Sequence, residues 1–178
     1  KNRVYYKVEG CDMNLICPIC GNKLNNEGKQ YICPNNHSFD VARQGYVNLL
    51  TVQQKHSLAP GDTREQVLSR RAFLETDSYA PIVEAVKAAA EGHAGPILDV
   101  GCGEGWYAVQ VADHLGAELT GLDISKEAVR CAAAKYKGHR WICGTAAHLP
   151  IPDRSVGVLM SMFALTMPGK FRRGLKED

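Results

Sequence analysis

Long apolar runs and a strong charge of one sign are both lacking from this sequence of 178 residues. No apolar stretch approaches the roughly 20 residues that cross a bilayer, and no signal peptide leads the chain, so no membrane association is expected. The net charge of +2 is too small to indicate a nucleic-acid partner by itself. The seven cysteines are an odd number, which cannot form a complete set of disulfides. These absences favour a globular protein of the cytoplasm.

Three of the cysteines stand in a metal-binding spacing. Cys17 and Cys20 form a CPIC motif, and after twelve residues Cys33 begins the motif CPNNH, which ends at His37. Two cysteines two residues apart can bind one metal from a tight turn, while Cys33 and His37 form a second pair across a hairpin. Three thiolates and an imidazole make a closed tetrahedral set, which is typical of structural zinc. The alternative, three free buried cysteines beside an unrelated histidine, leaves the repeated spacing unexplained.

A small zinc ribbon in front of a larger domain usually binds a partner. Basic and aromatic side chains of the ribbon are candidates for contacting phosphate and stacking on bases, namely Lys23, Lys29, Arg43, Tyr31 and Phe39. Solvated charges over packed aromatic rings are an equally good interpretation of each of these residues taken singly.

The most informative stretch of the chain is a glycine-rich turn. The apolar run 96–100 predicts a buried parallel strand, and Gly101, Gly103 and Gly105 follow it at alternate positions before an amphipathic helix begins. Such glycines let a ligand lie against bare backbone beside the amide groups of a helix N-terminus. The dinucleotide fingerprint needs a glycine at position 106, where Trp106 stands instead.

Acidic residues around this turn narrow the choice of ligand. An acid, Asp99, precedes the GxGxG pattern, Glu104 lies within it, and Asp123 ends the next predicted strand 24 residues beyond Asp99. This pattern resembles motif I of the class I S-adenosylmethionine (SAM) methyltransferases. The resemblance implies a negative pocket for the sulfonium, glycine amides that face the SAM carboxylate, and Asp123 on the ribose hydroxyls. Adenine contacts would come from Thr145 and Ala146. For Asp99 and Asp123 a loop-capping role is the alternative.

Strands and helices alternate from residue 96 onward, which predicts an α/β fold with a doubly wound, Rossmann-like sheet. We divide the chain into an N-terminal extension (1–14), the zinc ribbon (15–50), a linker with two helices (51–95) and a partial SAM-binding domain (96–178). Four strands are expected in that domain, at 96–100, 118–123, 140–144 and 153–160, so the C-terminal strands of the sheet are missing from this sequence. Either the sequence is part of a longer protein, which the exposed sheet edge favours, or the protein is truncated and inactive.

A series of motifs in one order covers residues 15–155: CPxC, YxCPxxH, FDxARxGYVNLL, PGD, RRAFL and LDxGCGEG. This series resembles the RlmA family of 23S ribosomal RNA guanine-N1 methyltransferases, which includes tylosin-resistance enzymes. The resemblance implies SAM-dependent methylation of guanine N1 in a 23S rRNA hairpin, and so a role in antibiotic resistance. The ribbon and the basic segment 43–71 would hold the RNA. It also implies that Tyr79 reaches the cofactor, with packing on the core as the alternative. Gly157 departs from the family, which usually has Asp there.

Two other functions are compatible with the sequence. One is a SAM methyltransferase that acts on a small molecule and uses the ribbon only as structure. The other is a truncated, non-catalytic RNA-binding protein. The sequence identifies no catalytic base, since His148 is better explained as a loop residue, and it leaves open whether the protein forms a homodimer.

Overall fold

The structure is a computed structural model that describes residues 13–54, 60–74, 76, 78–164 and 168–176. The predicted N-terminal extension, except for its last two residues, lies outside this part of the chain. The strands of the described part are β1 Leu15–Ile16, β2 Lys23–Asn26, β3 Gln30–Ile32, β4 Ser38–Asp40, β5 Tyr46–Asn48, β6 Ile97–Val100, β7 Leu119–Asp123, β8 Arg140–Cys143 and β9 Val158–Met160. The α-helices are α1 Arg64–Leu74, α2 Ala80–Ala90, α3 Trp106–Leu115, α4 Lys126–Lys135 and α5 Pro168–Gly174.

The first four strands form an antiparallel sheet in the order β1-β2-β3-β4. A tight turn joins β2 to β3, and Gly28 adopts a left-handed φ of 83° in it. The side chain of Asn26 stabilises this turn, because its Oδ1 accepts a hydrogen bond of 2.8 Å from the Gly28 amide. Leu24 and Tyr31 on these strands are buried. The small sheet is therefore a ribbon whose inner side is apolar.

The other five strands form an entirely parallel sheet in the order β5-β8-β7-β6-β9. This confirms the predicted Rossmann-like architecture and adds a strand to the four expected. The added strand is β5, which lies within the stretch 15–50 assigned to the ribbon and pairs in parallel with Trp141–Cys143 of β8. The last predicted strand, 153–160, is shorter than expected, since only Val158–Met160 is extended.

Both faces of the parallel sheet are covered, as strands buried on both sides require. On one face Ile97, Leu119 and Trp141 belong to a cluster with apolar residues of α2, α3 and α4. On the other face Leu98 and Leu122 belong to a second cluster. Its remaining members come mainly from the N-terminal part of the chain and from the segment after β8, and they include Met13, Leu15, Cys17, Leu24, Tyr31, Cys33, Leu149, Ile151, Val156 and, from α5, Phe171. The ribbon thus packs directly on the sheet and shares its core.

The helix starts follow from local chemistry. Thr63 and Gln66 form a reciprocal capping box at α1, in which each side chain accepts a hydrogen bond from the other residue's amide, at 3.3 and 2.8 Å. Ser125 caps α4 by accepting a 3.2 Å hydrogen bond from the amide of Ala128. The N-cap of α2 is Tyr79, which makes no side-chain capping bond. No helix in the described part is long and apolar enough to cross a membrane.

Candidate cofactor cradle and metal centre

The four predicted metal ligands lie together at one end of the ribbon. Their ligand atoms are all within 4.8 Å of one another. Cys20 Sγ is 3.7 Å from Cys33 Sγ, and His37 Nδ1 is 3.5 Å from Cys17 Sγ and 3.4 Å from Cys33 Sγ. Tetrahedral zinc with ordinary bond lengths places two sulfurs about 3.8 Å apart and a sulfur and a nitrogen about 3.6 Å apart. The donor set and its spacing therefore fit one zinc ion.

Two tight turns bring the ligands together. Gly21, with a φ of 74°, donates its amide to the Cys17 carbonyl at 2.8 Å. The Cys33 carbonyl accepts from the amide of Asn36, which is itself left-handed with a φ of 60°. Burial raises the pKa of the Cys17 thiol. A backbone hydrogen bond from Asn22 is the main reason why the pKa of Cys20 falls to about 6. All four positions are filled by protein, so the centre is structural and leaves no site for substrate.

The glycine turn, residues 101–105, follows β6 at the carboxyl edge of the parallel sheet. Its three glycines all have left-handed φ values, 81° at Gly101, 56° at Gly103 and 79° at Gly105. A Cβ at Gly101 would lie 2.3 Å from the Cβ of Ala164, and one at Gly105 would lie 2.3 Å from the ring of Trp141. Only glycine satisfies both the dihedral angles and these close approaches.

The amides of these glycines do not point at a free space, contrary to the expectation that they face a ligand carboxylate. Gly101 donates to the Leu122 carbonyl at 2.7 Å, and Gly105 donates to the Cys102 carbonyl at 2.9 Å. Gly103 donates to Asp123 Oδ2 at 2.8 Å. The three amides are thus used within the protein, on a carbonyl of β7, on the Asp123 carboxylate and on a carbonyl of the turn itself. What the glycines offer a ligand is bare backbone surface.

The three predicted acids surround this turn, each with a different environment. Asp99 is only 2% exposed, and its Oδ1 has no hydrogen-bond partner among the described residues. Burial, together with the charge of Asp123, raises the pKa of Asp99 to about 7. Burial also raises the pKa of Asp123, although its two oxygens accept from the amides of Gly103 and Ser125 at 2.8 Å each.

Glu104 is buried and carries an ion pair that sequence reasoning did not identify. The Nε of Arg71, on α1, donates to Glu104 Oε2 at 2.7 Å. This hydrogen bond raises the pKa of the Arg71 guanidinium. Its neighbour Arg70 pairs with Asp62 at 2.8 Å. Both arginines were assigned to an RNA-holding segment, whereas the structure pairs each with an acid near the turn. No local sequence signal links residues 33 positions apart.

Whether a cofactor fits this site can be judged from two buried carboxylate oxygens that accept no hydrogen bond from the described residues. The second, after Asp99 Oδ1, is Glu104 Oε1, which has no hydrogen-bond partner in the described part of the chain. Buried acceptors are normally satisfied, so both oxygens indicate a bound group that donates hydrogen bonds. A positively charged donor suits two acids best. SAM carries an ammonium group and a sulfonium, and the residues present therefore fit it.

The remaining candidate residues lie along the same edge of the sheet. Thr145 and Ala146 follow β8, beside the end of β7, where Asp123 lies. The Thr145 hydroxyl caps a short 3-10 helix, Ala146–His148, by accepting from the Ala147 amide at 3.2 Å. An adenine placed here would meet the backbone and a hydroxyl that still has its O–H to donate.

Tyr79 lies in a group of aromatic side chains beside the glycine turn. Its ring centroid is 5.4 Å from that of Phe73, 5.9 Å from that of Tyr107 and 5.9 Å from that of Phe163. Trp106 joins the group through Tyr107, with the two centroids 4.9 Å apart. We call these five residues the aromatic cluster. Of its members the sequence singled out only Tyr79 as a ligand contact, because the others are brought together from distant segments.

On the ribbon the predicted base-stacking residues are less available than expected. Tyr31 is buried, and its hydroxyl accepts a 3.3 Å hydrogen bond from Asn26. Phe39 is half-buried and packs against the shared core. The basic side chains predicted to contact phosphate, Lys23, Lys29 and Arg43, are all exposed. The ribbon thus presents charge to the solvent and keeps its aromatic rings largely inside.

Comparison with known proteins matches the two parts separately. The family model described as RlmA, N-terminal, a zinc ribbon, matches residues 15–58, and a methyltransferase-domain model matches residues 97–177. A Streptomyces fradiae protein named 23S rRNA (guanine(748)-N(1))-methyltransferase is 35% identical over 91% of this chain and 59% of its own length. A Micromonospora griseorubida protein, named as a candidate 23S rRNA (guanine-N(1)-)-methyltransferase, is 35% identical over 93% of this chain and 63% of its own.

The chain thus spans about three fifths of the length of these relatives. A solved structure of a candidate SAM-dependent methyltransferase from Methanococcus maripaludis has the same fold, with a TM-score of 0.55 and 19% identity over 67% of this chain and 64% of that chain. The parallel sheet is that of a class I SAM-dependent methyltransferase domain, and the Cys3His centre is that of a zinc ribbon. Over the length that it spans, the chain is similar to relatives named as 23S rRNA guanine-N1 methyltransferases, and its ribbon matches the RlmA N-terminal model.

Proposed function

We propose that this protein transfers the methyl group of SAM to N1 of a guanine in a hairpin of 23S rRNA, with release of S-adenosylhomocysteine and of the proton that N1 carried. We use the term cradle for the glycine turn with Asp99, Glu104 and Asp123. The observation that carries the proposal is that this cradle, with two buried carboxylate oxygens that lack a donor, lies on a sheet that shares its core with an RlmA-type zinc ribbon. The names of the relatives support guanine N1 of 23S rRNA as the acceptor. The Cys3His centre, which needs reduced thiols, supports a reducing compartment, the cytoplasm, where ribosomal RNA is found.

On the cofactor side, each residue has a proposed role set by its place in the cradle. Asp99 and Glu104 offer their unsatisfied oxygens to the positively charged methionine end of SAM. Asp123, at the end of β7, accepts from the ribose hydroxyls through its remaining lone pairs. Gly101, Gly103 and Gly105 provide the bare surface between these positions, and we keep Tyr79, Thr145 and Ala146 as further contacts. When bound, SAM supplies an electrophilic methyl group on its sulfonium.

On the RNA side, the chain has to present an unpaired base to that methyl group. Guanine N1 lies on the Watson–Crick edge, so the target base has to be in a loop or flipped out of a helix. The exposed Lys23, Lys29 and Arg43 support a role of the ribbon in holding the phosphate backbone. Because the ribbon packs directly on the sheet, RNA held there is fixed relative to the cradle. Alignment of nucleophile and methyl, with exclusion of water, is the main contribution expected of the protein.

Methyl transfer to a defined RNA tests the proposal. The zinc-loaded chain of 178 residues is incubated with a 23S rRNA hairpin and SAM labelled in the methyl group. We expect label in the RNA and a reverse-transcription stop at one loop guanine, because a methyl on N1 blocks base pairing. The matched control is Asp123→Asn, which keeps the size of the side chain and removes its charge. It should require more SAM for the same rate.

Two results would contradict the proposal. If the protein binds SAM in calorimetry and binds the hairpin, but leaves every guanine unmodified, it is an RNA-binding protein without this activity. If label enters a small-molecule acceptor and the hairpin stays unlabelled, the ribbon is only a structural module of a different methyltransferase.

A further inference from the structure

The aromatic cluster contains a residue whose position is costly for the fold. Phe163 is 75% exposed, which leaves most of an apolar ring in water. Its φ is 55°, in the left-handed region that side chains larger than those of Asn and Asp rarely adopt. Exposure and backbone strain together bring no stability to the chain. Such a combination is typical of residues retained for a function.

The location of Phe163 indicates what that function is. It follows β9, and the next residue, Ala164, is in contact range of the glycine turn that follows β6. From β6 the chain winds through β7 and β8 on one side, while β9 lies on the other side of β6. Ligands of such sheets bind at the carboxyl ends of the strands where the order reverses. Phe163 therefore stands at the mouth of the cofactor cradle.

The surroundings of Phe163 favour a flat, uncharged aromatic ligand. Its centroid is 5.9 Å from that of Tyr79 and 6.0 Å from that of Tyr107, so both rings support it from the side. Phe73, on the far side of Tyr79, is also 52% exposed. Burial raises the pKa of the Tyr107 hydroxyl, and the nearby positive charge of Arg70 opposes that rise. An arginine beside exposed aromatic rings is the combination that binds nucleic-acid bases and their phosphates.

We infer that Phe163 is a base-stacking residue, on which the target purine of the RNA rests beside the cofactor cradle. The inference rests on the proposed function for the identity of the purine. Tyr79 and Tyr107 act as positioning residues that hold the Phe163 ring. Stacking on an aromatic ring is worth about 5-fold to 100-fold in affinity per base, so the removal of this one ring should be measurable.

A double-mutant cycle on binding tests this role separately from methyl transfer. The hairpin carries a fluorescent label, and a second hairpin lacks the bases of its loop but keeps the phosphate backbone. Dissociation constants are measured by anisotropy at one salt concentration, in the presence of S-adenosylhomocysteine. Loss of the loop bases should weaken binding to the wild type about 5-fold to 100-fold, and binding to Phe163→Ala less than about 2-fold. Phe163→Trp should restore the wild-type difference.

The control is His93→Ala, which removes an exposed ring that precedes β6, at the opposite end of that strand from the glycine turn. It should behave as the wild type does. If Phe163→Ala weakens both hairpins equally, or neither, the stacking role is wrong. The same conclusion follows if the variant only abolishes self-association of the protein, because the ring would then cover a second copy. If binding of the two hairpins changes as expected but no methyl group is transferred, only the proposed function is contradicted. If methyl transfer occurs but Phe163→Ala still distinguishes the two hairpins as the wild type does, only the stacking role is contradicted.

Discussion

The buried carboxyl of Asp99 makes a quantitative prediction about cofactor binding and pH. Its pKa of about 7 means that it is largely protonated at pH 6 and largely ionised at pH 8. A protonated Asp99 has lost its negative charge, and one of its acceptor sites has become an O–H donor. If its oxygens hold the ammonium group of SAM, only the ionised form binds well. The ionised fraction rises from about one tenth at pH 6 to about nine tenths at pH 8.

The dissociation constant should therefore fall about tenfold between pH 6 and pH 8. Isothermal titration calorimetry with S-adenosylhomocysteine, repeated in buffers of different ionisation enthalpy, measures both the affinity and the protons released on binding. About one proton should be released per ligand near pH 6, and almost none near pH 8. The Asp99→Asn variant is the control, since it keeps the shape of the side chain and does not titrate. Any dependence that it retains belongs to the ligand or to other groups, and is subtracted.

Stability of the free protein gives an independent check of the same group. The folded-state pKa of Asp99 lies above the value near 4 expected in the unfolded chain. The stabilising effect of its proton is then fully present below about pH 4 and is lost as the pH rises through about 7. Relative to Asp99→Asn, the wild type should lose stability over that window. Equal pH dependence of the two proteins in both affinity and stability would refute the assignment of Asp99 as the titrating contact.

The remaining predictions concern the metal, the ion pair and the turn. Cys33→Ser should release zinc and unfold the ribbon; a variant that is still folded and metal-replete in atomic absorption would exclude the tetrahedral centre. Arg71→Met leaves the buried carboxylate of Glu104 unpaired and should lower the free energy of unfolding by about 3 kcal/mol in urea titration; a change below about 1 kcal/mol would contradict this. Gly105→Ala would place a Cβ in a left-handed backbone conformation and 2.3 Å from the indole of Trp141, so it should lower the free energy of unfolding by about 2–4 kcal/mol. Gly116→Ala, also left-handed but in open space, should cost only about 1 kcal/mol.

Features coded by short sequence spacing could be predicted. The Cys17 and Cys20 pair lies on one tight turn, so the spacing itself brings two ligands together. The glycine turn and the acid at the end of β7 follow from apolar runs that stop at defined residues. The parallel architecture followed from the alternation of such runs with amphipathic helices, and it is confirmed.

Features that depend on contacts between distant segments could not be predicted. β5 has only three residues, and nothing in YVN tells whether it pairs with the ribbon or with β8. The Arg71–Glu104 pair and the contact between Ala164 and Gly101 need the complete fold. The prediction that the glycine amides face a ligand carboxylate was wrong for a related reason. Two of the three acceptors that they meet lie on β7, which is distant in sequence.

The three acids of the cradle show how one site can hold several carboxylates a short distance apart. Glu104 is paired with Arg71. Burial raises the pKa of Asp123, and the hydrogen bonds that it accepts from two backbone amides oppose that rise. Asp99 has neither an ion pair nor amide donors in the described structure. With a pKa of about 7, it can lose its charge by taking up a proton instead. A cationic ligand can replace that proton at little electrostatic cost, whereas an anion would meet two charged carboxylates. We therefore propose that the cradle selects the positively charged end of its ligand through Asp99, the one acid that the protein leaves uncompensated.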